Sequence, residues 1–225
     1  AALSKAISGF VGGTGEQADP YLISSEAGMK YLAEQVANGE TYAGKYVKLT
    51  QDVQLTGEWK PIGSSSTLQF AGTFDGANHT IDGMQITDST LGYVGLFGYL
   101  GKGGSVKNVS LTNVSIDLAE AAQNVFAGSL IAFMQNDTSG STVSVVDNCR
   151  SEGTLRIHNS DKTTVVGGLI GMSNQLAAVT NCGVNVQVEA SSGTGRATVG
   201  GLTAWASIKA LYMNNYSLGN VTVDT

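Results

Sequence analysis

The sequence predicts an all-β solenoid, a parallel β-helix of about five coils with an α-helix covering its N-terminal end. Three observations lead there. A glycine-flanked apolar core, GLFG at residues 95–98, returns as GSLIA, GGLIG and GGLTA, and the leucines at the centres, Leu96, Leu130, Leu169 and Leu202, stand 34, 39 and 33 residues apart. A second motif, apolar-x-Asn followed by a buriable side chain, follows each copy: Val106-Lys107-Asn108-Val109, Val146-Asp147-Asn148-Cys149, Val179-Thr180-Asn181-Cys182 and Met213-Asn214-Asn215-Tyr216. Its asparagines, Asn108, Asn148, Asn181 and Asn215, are 40, 33 and 34 apart. Finally, each copy reads as short β-rich runs broken by Gly, Ser, Asn and Thr, with no 3.6-residue apolar period to support a helix. Two independent markers that share nearly one period mean stacked repeats.

The elements follow in order. Residues 25–38 carry Met29, Leu32, Ala33 and Val36 on one helical face, with Ser25 placed as N-cap and Gly39 as stop. An open solenoid end exposes apolar coil interior and unpaired strand edges, so this helix is expected to cover one. Residues 1–69 are read as the capping segment with the first coil, into which the extended runs 46–55 and 59–62 fall; residues 70–225 are the repeats of one continuous domain. In the early coil, Ile81, Met84 and Ile86 are aligned with Val106, Val109 and Leu111. In the third copy the strands are expected over 164–172, 178–184 and 184–190. There Val184, Val186, Val188 and Ala190 alternate with Asn185, Gln187 and Glu189, so one face turns inward. Thirty glycines are expected to supply positive φ at tight corners and to let backbones stack closely. Residues 220–225 are strand-like and lack a capping signal, which leads us to expect further domains of the same polypeptide.

Composition narrows the function. Twelve basic against 18 acidic residues give a net charge of −6, so nothing here would hold a phosphate backbone by counterion release, and a nucleic-acid partner is not expected. Charged residues are only 13% of the chain, while small and hydroxylated residues abound, as suits an extracellular β-solenoid. No apolar run approaches the roughly 18 residues that span a bilayer, and no signal sequence stands at Ala1.

Cys149 and Cys182 each follow the repeated Asn directly and should stack in neighbouring coils. Strands about 4.8 Å apart hold β-carbons slightly wider than a disulfide prefers, which favours buried free thiols over a bridge. Neither His79 nor His158 falls near them in sequence or repeat phase, so no metal and no cofactor are expected. The asparagine column reads as an amide ladder at a strand bend rather than as a row of sugar-binding amides.

The repeated Gly-Gly-Leu-Ile-Gly at residues 167–171, with its relatives at Gly95, Gly128 and Gly200, resembles the GLUG motif found in repeats of bacterial surface proteins, among them IgA-cleaving peptidases and adhesins. The run Gly12-Gly13-Thr14-Gly15, then Ala18-Asp19-Pro20-Tyr21-Leu22-Ile23-Ser24, the helix, and Tyr42-Ala43-Gly44-Lys45-Tyr46-Val47-Lys48-Leu49 resembles the segment that commonly precedes such repeats. So does Gly72-Thr73-Phe74-Asp75-Gly76-Ala77-Asn78-His79-Thr80-Ile81. Ser129, Ala132 and Ala204 depart from the motif's glycines. The resemblance implies a right-handed β-helix, secreted or on the cell surface of a bacterium. It does not carry over protease activity, since the chain has no HExxH helix and no G-x-S-x-G elbow.

An enzymatic alternative, polysaccharide lyase or glycoside hydrolase, would need paired carboxylates along one face. Asp75, Asp82 and Asp88 fall in one early coil and Asp147 with Glu152 in a later one, and Asp82 and Asp147 are read in the same repeat phase. A lyase would also need a basic group, for which Arg150 and Arg156 are the candidates. His79 is read as a turn residue, with a catalytic acid as the alternative. Sugars stack on exposed rings, so Trp59, Trp205, Tyr93, Tyr99, Tyr212 and Tyr216 are candidates for a platform, whereas Phe97 and Phe126 read as core. The polar segments 135–141 and 191–196 read as loops emerging on one face. The expected function is therefore a non-catalytic adhesion or display module that contacts a glycan or host protein through Asn136, Asp137, Arg196 and Trp205, with a ligand-free stalk as the other alternative.

Overall fold

The computed structural model describes residues 9–135, 142–174, 176–207 and 209–224. Nearly all of its regular structure is β, and every pairing between its strands is parallel. Each strand pairs with its equivalents in the neighbouring repeats, the arrangement of a β-helix or solenoid. One helix, Glu26–Ala37, has Ser25 as N-cap, whose hydroxyl accepts from the Gly28 N–H at 3.4 Å. Met29, Leu32, Ala33 and Val36 are buried on the expected face.

Three sheets stack the repeats. The first comprises Tyr93–Val94, Val125–Gly128, Thr164–Gly167 and Ala197–Gly200. A second holds Phe97–Leu100, Ile131–Met134, Ile170–Ser173 and Thr203–Ala206. The third has 13 strands, among them Thr73–Asp82 and Ser105–Leu118, and in later repeats pairs such as Ala177–Thr180 and Gly183–Ser191.

The expected single strand over 164–172 is thus two strands, because Gly168-Leu169 is a corner between two sheets. At each such corner the leucine points inward and its N–H bonds to the next repeat: Leu96 to Ser129 O at 3.1 Å, Leu130 to Leu169 O at 3.1 Å and Leu169 to Leu202 O at 2.9 Å. Leu96, Leu130 and Leu169 are fully buried, each stabilising the fold by about 1.5–3 kcal/mol through apolar burial. Leu202, in the last repeat, is only half-buried.

Of the two roles expected of glycine, the motif glycines serve the close stacking of backbones and not the positive φ. None of Gly95, Gly128, Gly167 or Gly171 has positive φ. A Cβ on Gly171, just beyond the corner, would instead meet Ala132 O at 2.6 Å and Ala127 O at 2.7 Å, so backbones approach closely there, although Ala132 and Ala204 hold the same register position in the adjoining repeats. Ser129, in a glycine's place, fits by donating its hydroxyl to Gly168 O at 2.6 Å.

Positive φ falls instead on asparagine: Asn108 at 54°, Asn148 at 50°, Asn181 at 56° and Asn214 at 57°. Asparagine tolerates this region because its short side chain bonds locally. The fourth member of the column is therefore Asn214, not Asn215. Thr180 pairs with Met213 and Gly183 with Tyr216, which puts Asn215 in the phase of the cysteines. The early repeat is also shifted from its expected alignment. Phe74 pairs with Val106, Ile81 with Leu111, and Ile86 with Ile116, because the corner at Ala77 and Asn78, both at positive φ, takes up the place of Asn108.

Candidate functional site

The third residue after each motif leucine is Tyr99, Phe133, Met172 and Trp205. The second sheet brings these four into one column, with Phe133 paired to both Tyr99 and Met172, and Met172 paired to Trp205. Strand spacing places successive members about 4.8 Å apart, so the column runs along the stacking direction. Tyr93 and Phe126, paired in the first sheet, reach the same patch across the corner. Tyr93 stacks on Phe126 at 5.5 Å and Tyr99 on Phe133 at 5.0 Å, while Tyr93 meets Tyr99 edge-on at 5.2 Å. Tyr99 donates its hydroxyl to Gln135 Oε1 at 2.5 Å, and burial pushes its phenol up to about 12. Phe126 is accordingly half-buried beside these rings rather than in the core, as its position in the repeat had suggested, whereas Phe97 is fully buried.

Trp205 ends the column and is 40% exposed. The Arg196 guanidinium lies 5.2 Å from its ring centre, a cation–π contact. Arg196 is held by its backbone, since its carbonyl accepts from the Thr164 N–H at 2.8 Å. The loop before it is pinned to the loop of the preceding repeat through Gly193 N to Asn159 O at 3.1 Å and Thr194 N to Ser160 O at 2.8 Å. Arg196 forms no ion pair among the described residues. Arg150 makes a comparable contact with Tyr216 at 5.5 Å, but its guanidinium is engaged by the carbonyls of Cys149 and Asn181.

Of the four residues expected to bind, the structure brings Arg196 and Trp205 together, while Asn136 and Asp137 lie outside the described residues. Among the other candidate rings, Trp59 is buried and donates its indole N–H to Leu96 O at 3.2 Å. Tyr212 is hydrogen-bonded to Ser173 Oγ at 2.7 Å. Phe133 and Met172 had not been singled out, although their leucine-plus-three spacing was visible in the sequence.

The carboxylates are arranged differently. Asp75, Lys107, Asp147 and Thr180 share one phase, so Asp82 and Asp147 are not aligned. Asp82 lies opposite Thr112 instead, because its strand turns the corner at Asn78 before reaching it. Thr112 Oγ1 and Asn113 Nδ2 donate to Asp82 at 2.5 and 2.7 Å and hold its carboxyl below the usual range. Thr180 and Asn181 repeat the arrangement on Asp147 at 2.6 and 2.8 Å. Arg156 pairs with Glu189 at 3.2 Å. His79 Nδ1 sits 3.2 Å from Asp52 Oδ1.

Cys149 and Cys182 are buried free thiols in equivalent positions of adjacent repeats. Among the described residues no group of three or more His, Cys, Asp or Glu could hold a metal. A concavity of about 550 Å³ lies in the N-terminal part of the chain, lined by Phe10, Tyr21, Tyr31, Tyr42 and Lys45, the last paired with Glu16 at 2.7 Å.

The parallel sheets are consistent with a β-helix or solenoid that carries a strip of aromatic residues and Met172, with Arg196 against Trp205 at one end. No protein-family model matches the chain. A protein of Evansella cellulosilytica provisionally named a Gly-rich membrane protein is 32% identical over 136 residues, covering 56% of this chain and 15% of its own. A Haloquadratum walsbyi protein named halomucin is 28% identical over 176 residues, 74% of this chain and 2% of its own. The chain thus spans a small part of the relatives it matches. A solved Bacteroides ovatus chain provisionally named an immunoglobulin A1 protease aligns with TM-score 0.68 at 18% identity, over 96% of this chain and 70% of that one. At that identity the likeness is one of fold. No helix among the described residues is long and apolar enough to cross a membrane.

Proposed function

We propose that the chain is a non-catalytic recognition module of a secreted or cell-surface protein, built as a right-handed β-helix of about five coils, and that it binds a glycan along the strip from Tyr99 to Trp205. The observation that carries this reading is the Arg196 guanidinium 5.2 Å over the exposed Trp205 ring, at the end of an in-register column of Tyr99, Phe133, Met172 and Trp205. Exposed indole offers an apolar face to a sugar ring, and the neighbouring guanidinium and Gln135 offer polar partners to its hydroxyls. The names of the relatives, a membrane protein and a halomucin, support a place at the cell surface. The non-catalytic part is supported by what the candidate acids and bases do. Asp82 and Asp147 are engaged by the Thr and Asn of the next repeat, and Arg150 and Arg156 are engaged as well. The test is binding of the purified chain to a glycan array, with Trp205→Ala as comparison. Saturable binding that this substitution removes, with the melting temperature unchanged, supports the reading. Silence across the array leaves a stalk or a protein-binding module in its place.

A further inference from the structure

We infer that the glycan taken by this strip carries an isolated carboxylate, which meets Arg196 while the sugar ring lies on Trp205; this rests on the recognition reading above. The Arg196 guanidinium lies 5.2 Å from the centre of the indole ring on an exposed side chain, and its planar fork of N–H donors suits a carboxylate. Nothing in the described structure consumes those donors. The carboxylate of the loop beneath, Asp161, is paired with Lys162 at 2.5 Å. The strip itself is uncharged, so Arg196 is its one cationic point among Tyr93, Tyr99, Phe133, Met172 and Trp205.

The rest of the molecule limits how acidic the ligand can be. A net charge of −6 repels a dense polyanion over distances up to a Debye length, about 8 Å at physiological salt. One well-placed guanidinium does not offset that repulsion along a polyuronate. A largely neutral oligosaccharide with one acidic sugar presents the charge only where Arg196 stands and lays neutral rings along the remaining column. The backbone bonds that pin residues 193–196 mean that little ordering of the arginine's main chain remains to be done on binding.

The experiment is a titration of the whole chain with 3′-sialyllactose, lactose and an oligogalacturonate, for the wild type, Arg196→Gln and Trp205→Ala. Sialyllactose should bind roughly tenfold or more tightly than lactose, the range of one charge-assisted bidentate contact. Arg196→Gln should erase that preference by weakening sialyllactose far more than lactose, Trp205→Ala should weaken both, and the oligogalacturonate should bind less well than sialyllactose. Equal affinity for lactose and sialyllactose, with both lost in Trp205→Ala, overturns the acidic preference and leaves the recognition reading intact. A preference that survives Arg196→Gln also overturns it. Binding of none of the three sugars overturns both.

Discussion

Asn148 donates its side-chain amide to Asn108 Oδ1 at 3.0 Å across two adjacent repeats. Asn108 in turn donates to Asp75 at 3.0 Å, and Asn214 to Asn181 at 3.2 Å. The ladder is not continuous, because Asn181 turns to Asp147 at 2.8 Å rather than to Asn148. Each of these residues thus has two roles, occupying left-handed backbone at the corner and tying its repeat to the one before.

The two roles separate by substitution. Asn148→Gly keeps the backbone conformation and loses the amide bond, which is expected to cost about 1 kcal/mol. Asn148→Ala loses the bond and adds the left-handed penalty of about 1–2 kcal/mol, so it should cost about 2–3 kcal/mol. Urea denaturation of both variants gives the comparison, and equal losses would refute the backbone role.

The corner glycines make a different demand. Gly171→Ala places a Cβ 2.6–2.7 Å from two carbonyl oxygens, so backbone must shift, and we expect a loss of about 2 kcal/mol or more. Gly39, by contrast, has nothing within 4 Å of a built Cβ but a φ of 97°. Gly39→Asn, which tolerates left-handed backbone, should therefore be nearly neutral in the same assay.

How much of this was legible depends on whether composition or conformation decides the residue. The leucine column was readable because Leu96, Leu130 and Leu169 recur in nearly identical company. The last asparagine was misplaced by one because residues 214 and 215 are both Asn, and only backbone φ distinguishes the corner from the strand. Asp82 was set in phase with Asp147 because sequence does not show the irregularity between Asp75 and His79 that resets the register. The aromatic column was hidden by its own variety: Tyr, Phe, Met and Trp share a spacing without sharing an identity. The pairing of Arg196 with Trp205 had no signal at all, since it joins a loop residue before one strand to a residue of the next strand across a corner.

Burial pushes the Cys149 thiol up, with Cys182 in register beside it. The folded value lies above the unfolded one, so the neutral thiol's contribution is complete below about pH 8.5 and is lost as pH climbs toward the folded value. Wild type should therefore lose stability relative to Cys149→Ala between about pH 8.5 and 10. Denaturation at several pH values checks this, and a stability difference independent of pH would count against it. A thiol reagent should react with neither cysteine in the native protein at pH 7.

Asp82 shows the opposite sign. Bonds from Thr112 and Asn113 hold its carboxyl low, so the stabilisation is present above its unfolded value of about 3.9 and is lost as pH falls through the folded value. Asp82→Asn should flatten the acid limb of the stability profile. The carboxylate is largely exposed, so the change should be small and should shrink further in high salt.

The most direct measurement of the central claim is a hydrogen-exchange footprint of the chain with and without a glycan that binds it. The account predicts added protection in Phe97–Leu100, Ile131–Met134, Ile170–Ser173 and Thr203–Ala206, strongest at the Trp205 end and absent in Trp205→Ala. Protection centred elsewhere, such as the concavity beside Tyr31 and Tyr42, would contradict it.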